Sequence, residues 1–520
     1  MKRRENKFEL FFLFLILLIA SFLRLYRLKD FQFFTYDQAR DALIIKRIII
    51  DKKITLVGPT VLIPGVFLPP FYYYLMAPIL VLGRLDPLVL DYFTALLGIG
   101  FVGFIWYAVN RFFGRPAGIF SAFFLAVSPI MVDLSRRAWN PNLIPFLSLI
   151  FVFLVYLFIQ SKNPRYLIFS LGILGLALSF HLSIICLFPL LLWAIILKVK
   201  RVGLRQFFFA LVLFLALVSP LLLFDFRHNF VLAKNIIAFF GKTKGDNFNL
   251  TRLTNGFLRL PGMLFLSLPF GFFQKKLIIS YFVVNLFKKS DLIYAPVSIV
   301  SHSPQFIYYP FWGIISFWLT IFLFLKKIRK YQQIFQLLLV WLFSGLVVSL
   351  FYPADFHFYF LDFAFPLPFI FLGFIFKELW QTKGKLVILS ILTFIGIVNG
   401  YLSLAQEPAD PTVKTVISVS RIIAEDVGDE LFNLAVSHRY SDRWDRNAVE
   451  YRYFVESYFK KFPLDDSPLG YTQAEYLYFI DEGGGQEVLN AKIMEVQAFS
   501  PKKIINNWEI EGLKIYKLSK

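Results

Sequence analysis

The feature that most constrains this 520-residue sequence is a succession of apolar runs, separated by short connections rich in Lys and Arg. A hydrocarbon core needs roughly 20 apolar residues per helix, because lipid offers no partner to exposed backbone N–H and C=O groups. The first run, residues 8–25, follows Lys2, Arg3, Arg4 and Lys7. No small-residue cleavage site comes after it; Arg24 and Arg27 stand there instead. We therefore expect an uncleaved helix whose start stays in the cytoplasm. Further runs lie near 88–109, 117–132, 143–160, 166–180, 183–198, 206–224, 306–325, 333–352, 361–376 and 385–402. With 58% hydrophobic and 17% charged residues, the chain lacks the polar surface a water-soluble protein requires. Disordered, collagen-like and disulfide-framework classes are excluded as well. Cys186 is the single cysteine, so neither an intramolecular disulfide nor a cysteine metal cage can form.

Topology turns on whether residues 69–83 cross the membrane. This stretch opens with two prolines, holds three consecutive tyrosines and is short for a span. If it does not cross, the connections NRFFGRP, SKNPR, KVKRVGLR, KKIRK and KELWQTKGK all face the cytoplasm, each with at least two Lys or Arg. The short opposite connections at 181–183 and 353–362 then carry none. The positive-inside rule selects this arrangement. The fold class expected is an α-helical polytopic membrane protein of about 11 spanning helices, multi-pass in the plasma membrane, with a small extracytoplasmic α/β C-terminal domain. The membrane domain would occupy 1–402, with outer loops at 31–87 and 225–305, and the accessory domain 403–520. Apolar stretches at 257–273 and 277–287 form either interfacial helices or a further pair of spans. Charge supports the division: residues 403–520 hold 14 basic against 19 acidic residues, net −5, and residues 1–402 hold 40 against 15, net +25. The basic excess sits between apolar runs, where it orients helices; nucleic acid is not a partner.

In the C-terminal segment, periodicity predicts helices at KTVISVSRIIAEDV and RNAVEYRYFVESYFKKF, and strands at LFNLAVSH, AEYLYFIDE, EVQAF, NWEIEG and LKIYKLS. The glycines at 483–485 are read as a turn, because no phosphate-loop lysine and helix follow.

Polar residues of the membrane half are few, so their grouping on the outer side is informative. The first group is FTYDQARDALIIKRIIIDKK, an amphipathic helix placed on the outer leaflet. Asp37, Arg40, Asp41, Arg47 and Asp51 share one side, while Ala42, Ile45 and Ile49 face away. Capping and helical ion pairs account for this spacing equally well. The second is GVFLPPFYYYLMAPIL, with Tyr72 and Tyr73. The third is DLSRRAWNPN, with Arg136, Arg137, Asn140 and Asn142, where two arginines on an outer connection imply an anionic partner. The fourth is FDFRHNF, with Asp225, Arg227 and His228. A fifth contains His357 and Tyr359.

These residues resemble the GT-C superfamily of membrane glycosyltransferases, particularly bacterial members similar to protein O-mannosyltransferases and lipid A aminoarabinose transferases. The likeness rests on Asp37 right after the first helix, the short helix opening Pro69-Pro70-Phe71-Tyr72-Tyr73, and the apolar multi-helix body that follows. SRRAWNPN and FDFRHNF are also similar to segments of that group. It covers residues 1–240 well and the remainder only in helix number and placement. The resemblance implies that Asp37 is the catalytic base of an inverting transfer from a polyprenyl-phosphate sugar to an acceptor hydroxyl on a protein, lipid or glycan outside the cytoplasm. It also implies that Asp41, Tyr72, Tyr73, Arg136, Arg137, Asn140, Asn142, Asp225, Arg227, His228, His357 and Tyr359 bind substrate. The chain departs from the pattern at Gln38, where Glu is common, and at Leu68, where Lys or His is common. Only Asp37 and Asp41 lie together as carboxylates there, fewer oxygens than a divalent ion takes, so no metal or other cofactor is expected. Two other classes compete. A flippase or transporter of lipid-linked sugars would place polar residues at the bilayer midplane in repeated halves. A surface-polysaccharide polymerase or ligase would leave Asp37 dispensable.

Overall fold

The computed structural model describes residues 2–241 except 33, 62, 162 and 199–202; residues 264, 265, 268–270, 318, 321, 322 and 325; residues 328–351; and residues 358–520 except 383, 406–408, 439–445 and 485–486. His357 and nearly all of 257–287 therefore lie outside the described residues. The chain divides into two compact units. One comprises Met1–Leu28, Ile54–Leu75 and Leu90–Gln406; the other comprises Lys29–Lys53, Met76–Val89 and Glu407–Lys520.

The first unit is helical. Its elements are α1 (Lys2–Leu25) and, beyond α2 (Tyr36–Ile50) of the second unit and α3 (Phe71–Leu82), which crosses the division, α4 (Leu88–Phe113), α5 (Arg115–Val127), α6 (Pro129–Ser135), α7 (Ile144–Gln160), α8 (Arg165–Leu178), α9 (Phe188–Leu197), α10 (Leu204–Arg227), α11 (Val231–Gly241), α12 (Ile328–Phe351), α13 (Pro366–Trp380) and α14 (Lys385–Leu404). Six stretches among the described residues are long and apolar enough to cross a membrane: Lys7–Leu25, Leu88–Phe113, Asn140–Gln160, Leu204–Arg227, Tyr359–Trp380 and Lys385–Leu404. A bent pair, α5 with α6, makes seven. Against the eleven spans expected, α8 is an apolar helix of 14 residues, and the run at 306–325 falls almost wholly outside the described residues.

The run at 117–132 does not form one straight helix; α5 and α6 meet at 68°. Pro129 supplies the reason, since it lacks an N–H and pushes Ser128 out of the helical region, here to φ −62°, ψ 118°. The break frees carbonyls at the end of α5, and Arg24 satisfies them. Its guanidinium donates to the carbonyls of Ala126 (3.0 Å) and Leu125 (3.2 Å) and, through Nε, to Ser135 Oγ (3.2 Å). A buried cation in a membrane helix is thereby matched to helix-end carbonyls, which carry partial negative charge.

The second unit is a four-stranded sheet with helices on both faces. Its further elements are α15 (Val413–Asp426), β1 (Phe432–Ser437), α16 (Val449–Ser457), α17 (Pro468–Gln473), β2 (Tyr476–Asp481), α18 (Met494–Phe499), β3 (Lys503–Ile510) and β4 (Leu513–Ser519). Strand order is β1-β2-β4-β3, with β1 and β2 parallel and the other pairs antiparallel. Alternate residues feed two cores. Leu434, Val436, Tyr478 and Ile480 join α15 and α16 on one face, while Ala435, Leu477 and Phe479 meet Tyr471 and Phe499 on the other. The β3–β4 hairpin turns at Glu511 and Gly512, with φ of 49° and 81°, the left-handed pair that a two-residue turn demands. The EVQAF segment, expected as a strand, is helical. Glu495, Val496 and Phe499 are its buried residues, a spacing that suits one helical face and not strand alternation. The glycines at 483–484 form the expected turn, their N–H groups donating to Asp481 Oδ1.

The helix α2 also belongs to this unit. Ala39, Ala42 and Leu43, with Phe34 just before the helix, join the core formed by α15, α16 and the sheet. The apolar face that the sequence assigned to the outer leaflet is thus packed against protein.

Candidate active site

The first-loop carboxylates are organised by one guanidinium. Thr35 caps α2, and Gln38 Oε1 accepts from the backbone N–H (3.4 Å) and the hydroxyl (2.9 Å) of Thr35. Gln38 therefore closes the helix start. One turn on, Arg40 donates to Asp37 Oδ1 (3.0 Å) and, through Nε and its second terminal nitrogen, to Asp41 Oδ1 (3.0 and 2.8 Å). The carboxylates differ in access: the Asp37 side chain is 39% exposed and that of Asp41 only 3%. Asp37 is the more accessible of the two.

In the first unit, Tyr72, Asn140, Asn142 and Tyr359 lie in or against the segment 136–142. Tyr72 and Tyr73 are fully buried; Tyr72 donates to the carbonyl of Ala138 (3.2 Å) and packs its ring on Phe180 at 5.4 Å. Asp91, near the start of α4, accepts from the N–H of Ala138 (2.7 Å). Asn140 donates to the carbonyl of Phe180 (2.5 Å), and Asn142 to those of Leu134 and Arg137 (3.0 Å each). These amides shape the segment. Tyr359 packs on Trp139 at 5.0 Å and on His181 at 5.5 Å.

The cations fall into three different settings. Arg136 is buried and donates to carbonyls of Leu23, Tyr26 (3.4 Å) and Ser403 (3.3 Å), where α1 and α14 end. Arg137 pairs with Asp133 at 2.7 Å, one turn earlier. Arg227 is exposed at the end of α10 and has no ion-pair partner among the described residues. Beside it, Asp225 caps the N–H of Leu232 (2.7 Å), and His228 stacks on Phe224, whose ring meets Phe67 at 5.9 Å. The α10 end thus borders the strand-like stretch that leads into Pro69 and Pro70. There Gly58 bonds the carbonyl of Leu68, and a Cβ on Gly58 would lie 2.2 Å from the carbonyl oxygen of Pro69, so only glycine fits.

Sequence reasoning missed an acid–imidazole pair beside Tyr359. Asp362 Oδ1 accepts from Ser183 Oγ and from the N–H of Phe363 (2.6 Å each), and its Oδ2 lies 3.7 Å from His181 Nδ1. The two outer connections predicted to lack Lys and Arg supply these residues, which only their spatial meeting reveals. Among the described residues, no group of three or more His, Cys, Asp or Glu could hold a metal ion.

Residues 68–224 match the family described as dolichyl-phosphate-mannose-protein mannosyltransferase. The fold matches ArnT from Cupriavidus metallidurans bound to undecaprenyl phosphate, at 10% identity over 98% of both chains, with a TM-score of 0.55. It matches the apo state of that protein at 11% identity, over 92% of this chain and 93% of the other, with a TM-score of 0.56. The fold is therefore that of the ArnT structures. No curated protein matches the sequence. The family match includes the Pro69-Pro70-Phe71-Tyr72-Tyr73 helix and the 136–142 segment.

Proposed function

We propose that this membrane protein is a glycosyltransferase that moves a sugar from a polyprenyl-phosphate donor to a hydroxyl of a protein, lipid or glycan acceptor, with inversion, on the extracytoplasmic side. The family match over residues 68–224 carries this reading. The undecaprenyl phosphate bound by the similar ArnT structure supports the donor class. In the reaction, the acceptor oxygen attacks the anomeric carbon from the face opposite the phosphate. The bond to the phosphate oxygen breaks, and its electron pair leaves with the lipid phosphate. That leaving group is already an acid anion, so the attacking hydroxyl is where a base matters. Asp37 takes its proton, being the accessible carboxylate of the pair held by Arg40. Arg227, exposed and with guanidinium geometry suited to two phosphate oxygens, stabilises the departing phosphate.

Replacing Arg227 by Lys keeps the charge and loses the planar fork. Turnover of undecaprenyl-phosphate-linked sugar should fall about tenfold, in line with one lost charge-assisted hydrogen bond. Chelator should leave the wild-type rate unchanged. Full activity of Arg227→Lys together with loss on chelation would replace phosphate recognition by metal chemistry. Orientation is tested separately with reporter fusions: one after Lys330 should report cytoplasm and one at Lys520 the opposite side. Both reporting the same side would contradict the arrangement.

A further inference from the structure

We propose that Lys46 and Glu456 are positioning residues for the transfer: their ion pair fixes the helix that carries Asp37 on the C-terminal sheet unit and so sets the rate of the chemical step. This rests on Asp37 being the base.

A single turn of α16 holds the first loop at three points. Tyr453 and Phe454 take the ring of Phe34, each at 5.3 Å between centroids, three residues before Asp37. Glu456 Oε2 accepts from Lys46 Nζ at 2.7 Å, and its Oε1 lies 3.9 Å from Arg47. The Tyr453 hydroxyl donates to the carbonyl of Leu85 at 2.7 Å, which anchors the chain where it follows α3. Asp37 therefore lies between two fixed points, the Phe34 ring and the Lys46 ammonium. The latter is nine residues away, about 13.5 Å along a helix. Translation and rotation of α2 are both fixed by that arrangement. The pair is buried, with side-chain exposures of 5% and 7%. Such a pair contributes little net stability over apolar substitutes, yet it specifies one register because neither charge tolerates being left alone. Misplacing a catalytic group by about 1 Å can cost on the order of a hundredfold in rate, which is the scale on which a one-methylene change acts.

The test uses full-length protein in detergent with undecaprenyl-phosphate mannose, or the polyprenyl-phosphate hexose the wild type turns over. Glu456→Asp keeps the charge and shortens the reach; Glu456→Gln removes the charge. Both should lower kcat at least about tenfold with the donor KM within about twofold, and amide exchange across residues 36–50 should speed up. The exchanged pair Lys46→Glu with Glu456→Lys should recover kcat to about a third of wild type or better. If Glu456→Gln does not fold, Glu456→Asp decides alone. Unchanged kcat despite faster exchange in 36–50 overturns the proposal, as does a kcat loss no larger than the lost folded fraction. A wild-type protein that turns over no polyprenyl-phosphate sugar defeats the glycosyltransferase reading itself, a result separable from indifference of the variants.

Discussion

Asp37→Asn is expected to reduce sugar transfer by roughly two to four orders of magnitude, the range a positioned general base contributes. The folded protein should barely register the change. Asp37 is partly exposed, and its ion pair with Arg40, screened by solvent on that side, contributes about 0.2–1 kcal/mol. Asp41→Asn should show the opposite profile. That carboxylate is buried and takes two hydrogen bonds from Arg40, so the melting temperature should drop while part of the activity survives. The assay is initial rate and thermal unfolding on the same purified samples. Equal, modest effects from both substitutions would mean that the Asp37–Arg40–Asp41 cluster serves only the helix.

The second large effect concerns the arginines of the first unit. Arg136→Ala should destabilise the protein on the order of 3 kcal/mol, because it strips donors from the buried carbonyls of Leu23 and Ser403. Arg227→Ala should leave unfolding unchanged, since its side chain is exposed, and should instead weaken use of a polyprenyl-phosphate sugar. Detergent-solubilised melting curves alongside donor titrations separate the two. A stable Arg136→Ala protein with a raised donor KM would return that residue to phosphate binding.

Much of the architecture is legible along the chain. Span positions follow from local hydropathy, which the bilayer enforces residue by residue. Strands β1, β2, β3 and β4 follow from short-range patterning, and the EVQAF segment fails because five residues hold too little period to tell helix from strand. The position of Asp37 shortly after the first helix is likewise read directly along the chain.

What the sequence by itself determined is therefore whatever depends on neighbours a few residues away: the apolar spans among the described residues and most elements of the C-terminal unit. Tertiary structure alone decided the partners of charges that pair across distant parts of the chain. Nothing local distinguishes Arg136, spent on the ends of α1 and α14, from Arg227, left exposed at the end of α10. Nor does it join Lys46 to Glu456 across 410 residues, or His181 to Asp362. Coulomb and hydrogen-bond energies fall off over a few ångströms and act between atoms that folding brings close, whereas hydropathy is carried by each residue wherever it lies.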